Sequence, residues 1–176
     1  MLQHVRHQPP DGGGRGRGRA HGWRRGAGVV NGQDAWYAQA EHSAHIPEAT
    51  IADLEWANAY LLRAPTRYGA VAGQMRAFLD QTGPLWAQGK LADKAASAMA
   101  SAQNSHGGQE MTMQASNTMF AHWGCVIVPP GYTDPVTLAA GGNPYGVTVT
   151  ADGAAIPEVV QDAIRHQARR LVAFAA

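Results

Sequence analysis

From about residue 50 onward, apolar positions alternate between short unbroken runs and helical spacing. Thr50-x-x-Asp53 ahead of Leu54 and Trp56 has the form of a capping box and predicts a short helix. Ala59-Tyr60-Leu61-Leu62 is an apolar run that predicts a buried strand over Asn58 to Arg63, although Arg63 sits oddly in a strand buried on both faces. Ala64-Pro65-Thr66-Arg67-Tyr68-Gly69 then reads as a compact turn, stiffened by Pro65 and eased by Gly69. Val71, Met75, Phe78 and Leu79 recur at helical spacing. That helix is expected to end near Gln81, at the stop Thr82-Gly83-Pro84, with Leu85-Trp86 projecting from a loop.

The small-residue run Ala95 to Ala100 reads as the next strand, with helix as the alternative because alanine favours helix. Ser101 to Gly108 is a donor-rich, glycine-containing loop. Met111, Ala115, Thr118, Met119 and His122 predict a helix over Glu110 to His122, closed by Gly124. Cys125 to Val128 is the clearest strand and stops at Pro129-Pro130-Gly131. Tyr132 to Gly153 reads as a long loop, a kind of segment that tends to carry function. Pro157 opens a last helix with Val160, Ile164, Ala168 and Leu171 inward and Arg165, Arg169 and Arg170 outward. Strands alternating with helices predict an α/β open sheet, whose ligands bind at the carboxyl ends of the strands. Thr66 and Arg67 are the polar groups at that mouth.

Residues 1–30 break this pattern. They are Gly/Arg-rich, and their hydrophobic residues are too sparse to predict a strand or an amphipathic helix, so the segment is expected to be disordered. Gly14-Arg15-Gly16-Arg17-Gly18 lacks the flanking strand and helix of a dinucleotide fingerprint. Such composition is also what a shifted reading frame in a GC-rich gene yields. Residues 31–47 read as a polar loop, with His42 and His45 as surface residues rather than a metal pair.

Composition narrows the function classes. The 176 residues suffice for one sizeable core, and the net charge of +1 makes no global case for nucleic acid or membrane. Six of the 14 basic residues are the arginines at 6, 15, 17, 19, 24 and 25, which leaves the remainder slightly acidic. That tract could contact RNA phosphates, but no DNA-reading motif accompanies it. Cys125 is the only cysteine, which excludes an internal disulfide, fits a reducing cytoplasm, and reads as an inert core thiol. No apolar run reaches membrane-spanning length, and the N-terminus has no secretory h-region. Neither a Ser-His-Asp nor a Cys-His arrangement points to hydrolysis.

Four segments carry a resemblance. They are Pro65-Thr66-Arg67-Tyr68-Gly69 with the Gly73 to Trp86 stretch, Ser101 to Glu110, Ala121 to Pro129, and Gly141 to Gly146. Over residues 31–176 the chain resembles the WrbA-type NAD(P)H:quinone oxidoreductases, flavodoxin-like proteins that bind FMN. The resemblance implies a doubly wound parallel sheet of order 2-1-3-4-5, a homo-tetramer, and two-electron reduction of quinones by NADH or NADPH through FMN. It places Pro65, Thr66, Arg67, Tyr68, Gly69, Ser101, Ala102, Gln103, Asn104, Gly107, Gly108 and Trp123 at the cofactor, and Trp86 and His122 at the substrate. Two departures stand out: Ala102-Gln103 replaces Thr-Gly, and His122-Trp123-Gly124 replaces His-His-Gly. The family's first strand, its S-x-x-G phosphate loop and its second strand have no counterpart in residues 1–30. The alternative expectation is therefore a non-catalytic, cofactor-free remnant of that family.

Overall fold

The computed structural model describes the backbone of Leu2–Val5 and residues 49–175. The expectations for residues 6–48, including most of the Gly/Arg tract, His42 and His45, and any phosphate loop, lie outside the described residues. A helix α1 (Ile51–Trp56) leads into strand β2 (Ala59–Arg67), along whose edge runs β1 (Leu2–Val5). A short β3 (Ala70–Val71) precedes α2 (Gly73–Leu79) and α3 (Gly83–Ala87). Then come β4 (Ala95–Ala102), α4 (Gln109–Trp123), β5 (Val126–Ile127), α5 (Pro135–Ala139), β6 (Thr148–Thr150) and α6 (Glu158–Phe174).

The sheet runs β1-β2-β4-β5, with β2, β4, β5 and β6 mutually parallel where they pair. β5 pairs the start of β4 at Ala95 and Ala96, and β6 pairs its end at Ala100 to Ala102. One strand position is thus filled in two pieces. The chain between them makes α5 and the wall of a pocket, so the long loop expected over Tyr132 to Gly153 holds a helix and a strand. Asp134 caps α5 by accepting from the Val136 N–H at 2.9 Å, and Pro135 takes the first helical position.

Side-chain alternation distributes two cores over the two faces. Tyr60 and Leu62 of β2 and Ala96, Ala98 and Ala100 of β4 face Leu54, Phe78, Leu91, Met113 and Phe120. Ala59, Leu61, Ala95 and Met99 face Val128, Val147, Ala163 and Leu171. Helices therefore cover both faces, as in a doubly wound α/β fold. The alanine run of β4 is a strand despite its helix propensity, because it pairs on both edges and its small side chains let α4 and α6 approach closely.

Several boundaries differ from the sequence expectation, each for a physical reason. β2 continues through Pro65 to Arg67, so most of the expected turn is strand. β1 reaches only to Leu62, and Pro65 interrupts no ladder on that edge among the described residues. Beyond Leu62 burial alternates, which leaves Arg63 on the exposed side and removes its apparent conflict with a buried strand. Gly83-Pro84 starts α3 rather than stopping α2, with proline in the first turn where its missing N–H costs nothing. Leu85 and Trp86 are therefore helical, and Leu85 is buried. Ser101 and Ala102 belong to β4 and not to the loop. The strand at Cys125 to Val128 shortens to Val126–Ile127. The capping box holds: Thr50 and Asp53 exchange side-chain and backbone hydrogen bonds.

The expectation that residues 1–30 form no strand fails for Leu2–Val5, which pair with Leu62 to Ala59. The buried backbone of β2 needs hydrogen-bond partners along that edge, and any short segment able to extend can supply them. The pairing is antiparallel, unlike the parallel neighbour that the resemblance implies at this position.

Cys125 is half-buried, and its Sγ donates to Leu91 O at 3.4 Å. Burial pushes its thiol up to about 12, against a smaller opposing pull from Lys94. Lys94 is itself lowered, chiefly by burial, while its Nζ donates at 2.7 Å to the carbonyls of Leu54 and Glu55 at the end of α1. The thiol is thus protonated at pH 8. Native chain is expected to react with a disulfide reagent at least tenfold more slowly than chain unfolded in urea. A stopped-flow comparison of the two rates checks this, and equal rates would mean an exposed thiolate.

Candidate functional site

The carboxyl ends of β2 and β4 lie side by side, with Pro65 paired in register with Ser101. β2 turns back into β3 through Tyr68 and Gly69, both at positive φ (53° and 81°), the geometry of a type I′ hairpin. Gly69 takes that conformation freely, and Tyr68 bears the strain with its ring fully exposed. From the end of β4, the loop 103–108 leads into α4. Asn104 organises it: its Oδ1 accepts from His106 N–H at 3.0 Å, and its carbonyl accepts from Gly107 N–H at 3.2 Å and from buried Gln109 Nε2 at 2.7 Å.

Hairpin and loop are tied together. Thr66 and Thr112 share a buried 2.6 Å hydroxyl hydrogen bond, and Thr112 Oγ1 also lies 3.0 Å from Gly108 O. Gly108, at φ 88°, packs so closely that a Cβ there would stand 3.0 Å from Gly69 Cα and 3.7 Å from Thr66 Oγ1. Only glycine fits both the backbone angle and the gap. Among the described residues, the Ser105 and Gly108 N–H groups meet no protein acceptor. The result is two rigid backbone edges with spare donors, which suits the rim of a planar, acceptor-rich heterocycle such as a flavin. Arg67 lies outside, its guanidinium turned onto Thr66 O at 3.0 Å.

The Thr66–Thr112 bond carries a prediction. Thr66→Val, which keeps the shape and removes the hydroxyl, is expected to destabilise the fold by about 1 kcal/mol. Urea unfolding checks it, and an unchanged midpoint would mean that the tie contributes nothing.

The structure thus gathers Pro65, Thr66, Tyr68, Gly69, Ser101, Ala102, Gln103, Asn104, Gly107 and Gly108. It does not bring Trp86, His122 or Trp123 to them. α4 starts at the loop and runs to the opposite end of the sheet, about 21 Å for its 15 residues. Trp123, expected at the cofactor, is a core residue, edge-on to Tyr60 (5.7 Å) and Phe120 (6.0 Å). Trp86 is 56% exposed and pinned by a 2.8 Å bond from its Nε1 to His122 O.

Beside the loop opens a pocket of about 730 Å³. Residues 105–111 form one wall, and segments 140–143 and 148–157 form the other. That second wall is held by one residue no motif singled out, Gln167, and by Gly146, the end of the Gly141 to Gly146 segment. Gln167, fully buried on α6, donates through Nε2 to Ser97 Oγ (2.7 Å) and Ala98 O (2.9 Å), and its Oε1 accepts from Val147 N–H (2.8 Å). Gly146 passes directly against β4. A signal for Gln167 existed, since it falls on the apolar stripe between Ile164 and Leu171. Thr112 has one too, four residues after Gly108 on the buried side of α4.

Residues 29–134 match the sequence profile of the NADPH-dependent FMN reductases. An NAD(P)H dehydrogenase (quinone) of Deinococcus radiodurans is 54% identical over 148 residues, covering 84% of this chain and 74% of that protein. A protein of the same name from Trichlorobacter lovleyi is 46% identical over 114 residues, covering 62% of this chain and 56% of that one. The chain therefore spans little more than half the length of the second relative. Among solved structures, the flavodoxin, WrbA-like protein from Agrobacterium tumefaciens superposes with a TM-score of 0.53 at 17% identity, over 70% of this chain and 69% of that one. That likeness establishes the flavodoxin-like fold. The matched region begins close to Asn31, where the resemblance was expected to start. None of these relatives supports the cofactor-free alternative.

Proposed function

Since this chain belongs to the NADPH-dependent FMN reductase family, we propose that it binds FMN and reduces quinones by two electrons using NADH or NADPH. The observation that carries the reading is the pair of carboxyl-end edges locked by Thr66, Thr112 and the Gly69–Gly108 contact. FMN, when bound, would supply the redox chemistry, two-electron transfer between a nicotinamide and a quinone. The chain's own residues bind and orient. The N–H groups of Ser105 and Gly108 donate to ring acceptors, Asn104 holds the loop that presents them, and the Tyr68 ring offers an apolar face for stacking. Thr66 keeps hairpin and loop at a constant separation.

The relatives named above act on quinones by their names, and that substrate class is carried to this chain on that ground. The reading includes a cytoplasmic homo-tetramer. In it, Trp86 and His122 serve the site of a neighbouring copy, because α4 carries His122 away from its own loop pair and Trp86, on α3, is bonded to the His122 carbonyl.

The test is direct. The chain is mixed with excess FMN, passed through gel filtration, and examined for flavin absorbance, mass by light scattering, and quinone-dependent NADH oxidation. Co-eluting flavin with quinone turnover is expected, lost in Gly108→Val. A colourless protein peak would overturn the reading.

A further inference from the structure

We infer that His166 is a pH-sensitive latch on one wall of the pocket, fastening Thr133 and Asp134 to α6 when its ring is doubly protonated. Residues 133–147 leave the end of β5, form α5 and return to β4 at Ala100, and their middle, 140–143, lines the pocket. Two consecutive residues of α6 hold the two ends of this segment. Gln167 holds Val147. His166 holds the other end, with Nε2 2.9 Å from Thr133 Oγ1 and Nδ1 3.9 Å from Asp134 Oδ2.

The hydrogen bonds fix where the protons lie. Thr133 Oγ1 donates to Pro130 O at 2.8 Å, because a carbonyl only accepts. The hydroxyl therefore accepts from His166, and the neutral ring carries its hydrogen on Nε2. That commitment also excludes Thr133 as a nucleophile activated by this histidine. Nδ1 is left with a lone pair facing a carboxylate oxygen, an acceptor against an acceptor. A second proton, which an imidazole gains between about pH 5 and 8, goes to Nδ1 and turns that opposition into an ion pair. The same carboxylate caps α5 through Oδ1, so the pull acts on the helix that leads into the wall. The N–H groups of Ala140, Gly141 and Gly142 hang from the α5 carbonyls of Val136, Leu138 and Thr137. Gln167 does not titrate, so one anchor of the two responds to pH.

The other ionisable groups around His166 are accounted for among the described residues. On the segment before α5, the Tyr132 hydroxyl is given to Gly142 O, and α5 itself carries no ionisable side chain. On α6, Asp162 one turn earlier is paired with Arg165, Arg169 is exposed, and Arg170 one turn later spends its Nε on Pro129 O. The strands meet α6 through Ala59, Leu61, Ala95 and Met99. The pair with Asp134 favours the protonated ring, so its contribution is present at low pH and lost as pH rises through the imidazole range. The Asp134 side chain is 45% exposed, which limits the effect to about two- to fivefold in local opening and leaves it open to screening by salt.

The experiment follows amide exchange by NMR on the full chain at pH 5.5 and pH 8, with each rate divided by the intrinsic rate at that pH. In wild type, protection of the Ala140, Gly141 and Gly142 amides is expected to be about two- to fivefold greater at pH 5.5. The difference should shrink in 0.5 M salt. It should vanish in Asp134→Asn, which keeps a capping oxygen, and in His166→Gln, which keeps a side-chain N–H for Thr133. Combining the two substitutions should remove no more pH dependence than either alone. Equal wild-type protection at the two pH values would overturn the latch, as would a change of the same size throughout α4. A pH dependence that survives both substitutions would overturn it too, and would point instead to His106 on the opposite wall. No flavin or nucleotide enters the measurement, so its outcome is independent of the proposed activity.

Discussion

Gly146→Ala is expected to destabilise the fold by about 3 kcal/mol, at the upper end of the cost of overpacking a core. An ideal Cβ at Gly146 would stand 2.1 Å from Ala98 O and 2.7 Å from Met113 Sδ. The sulfur is the end of a flexible side chain and can move. The carbonyl cannot, because it belongs to β4, which pairs with β2 on one edge and with β5 and β6 on the other. Relief must come from the loop, and pushing the loop out strains the hydrogen bonds of Val147 to Ala100 and Gln167. For a chain of this size the loss corresponds to a fall in Tm of about 6–12 °C. Gly73→Ala is the matched control: it has open space at the Cβ and lies in α2, so a change within about 1 kcal/mol in the stabilising direction is expected. Thermal unfolding of both variants separates a general glycine effect from the close approach. Equal midpoints would refute the packing argument.

Gln167→Leu is expected to be nearly as damaging, about 2–4 kcal/mol. The substitution keeps the volume roughly constant but leaves Val147 N–H without an acceptor, and removes the donor to Ser97 Oγ and Ala98 O. Buried groups so stranded lose their solvation without recompense. Gln167→Glu distinguishes hydrogen bonding from packing. At pH 8 it places an unpaired carboxylate in a fully buried position, and the folded state binds its proton more tightly than the unfolded one. A group with a raised folded pKa contributes stability that is present at low pH and lost as pH rises through that pKa. The Glu variant should therefore recover relative to wild type as pH falls from 8 to 5, whereas the Leu variant should not. Parallel urea titrations at the two pH values check this. The pocket wall at 140–143 and 148–157 should loosen in both variants, read as faster amide exchange in β6.

Much of this molecule was legible in the chain. The apolar run at Ala59 to Leu62, the helical spacing from Met111 to His122 and the stripe from Val160 to Leu171 each became the element their period implied, because burial on a sheet or helix face selects those periods directly. The capping box at Thr50, the Gly124 stop at φ 78° and Pro157 before α6 marked ends correctly, since they answer backbone groups within one turn. The motif segments also include the hairpin and the loop that meet at Thr66, Thr112 and Gly108. Where the sequence misled, the decisive partner was distant. Gly83-Pro84 reads equally as a stop and a start, and Pro65 looks like a turn until β4 is seen beside it.

The sequence by itself therefore determined the principal strands and helices, β2, α2, β4, α4 and α6, the α/β class, and which segments carry the flavin-family motifs. These follow from local periodicity, propensity and side-chain chemistry. Tertiary structure alone decided what meets what. It joined Thr66 to Thr112 across 46 residues and Gln167 to Ser97 across 70, and it carried Trp123 away from the loop into the core. It also laid Leu2–Val5 antiparallel against β2. The reason is physical: a hydrogen bond or a close backbone approach between remote residues depends on strand order, register and helix length together, and no window of the chain contains all three.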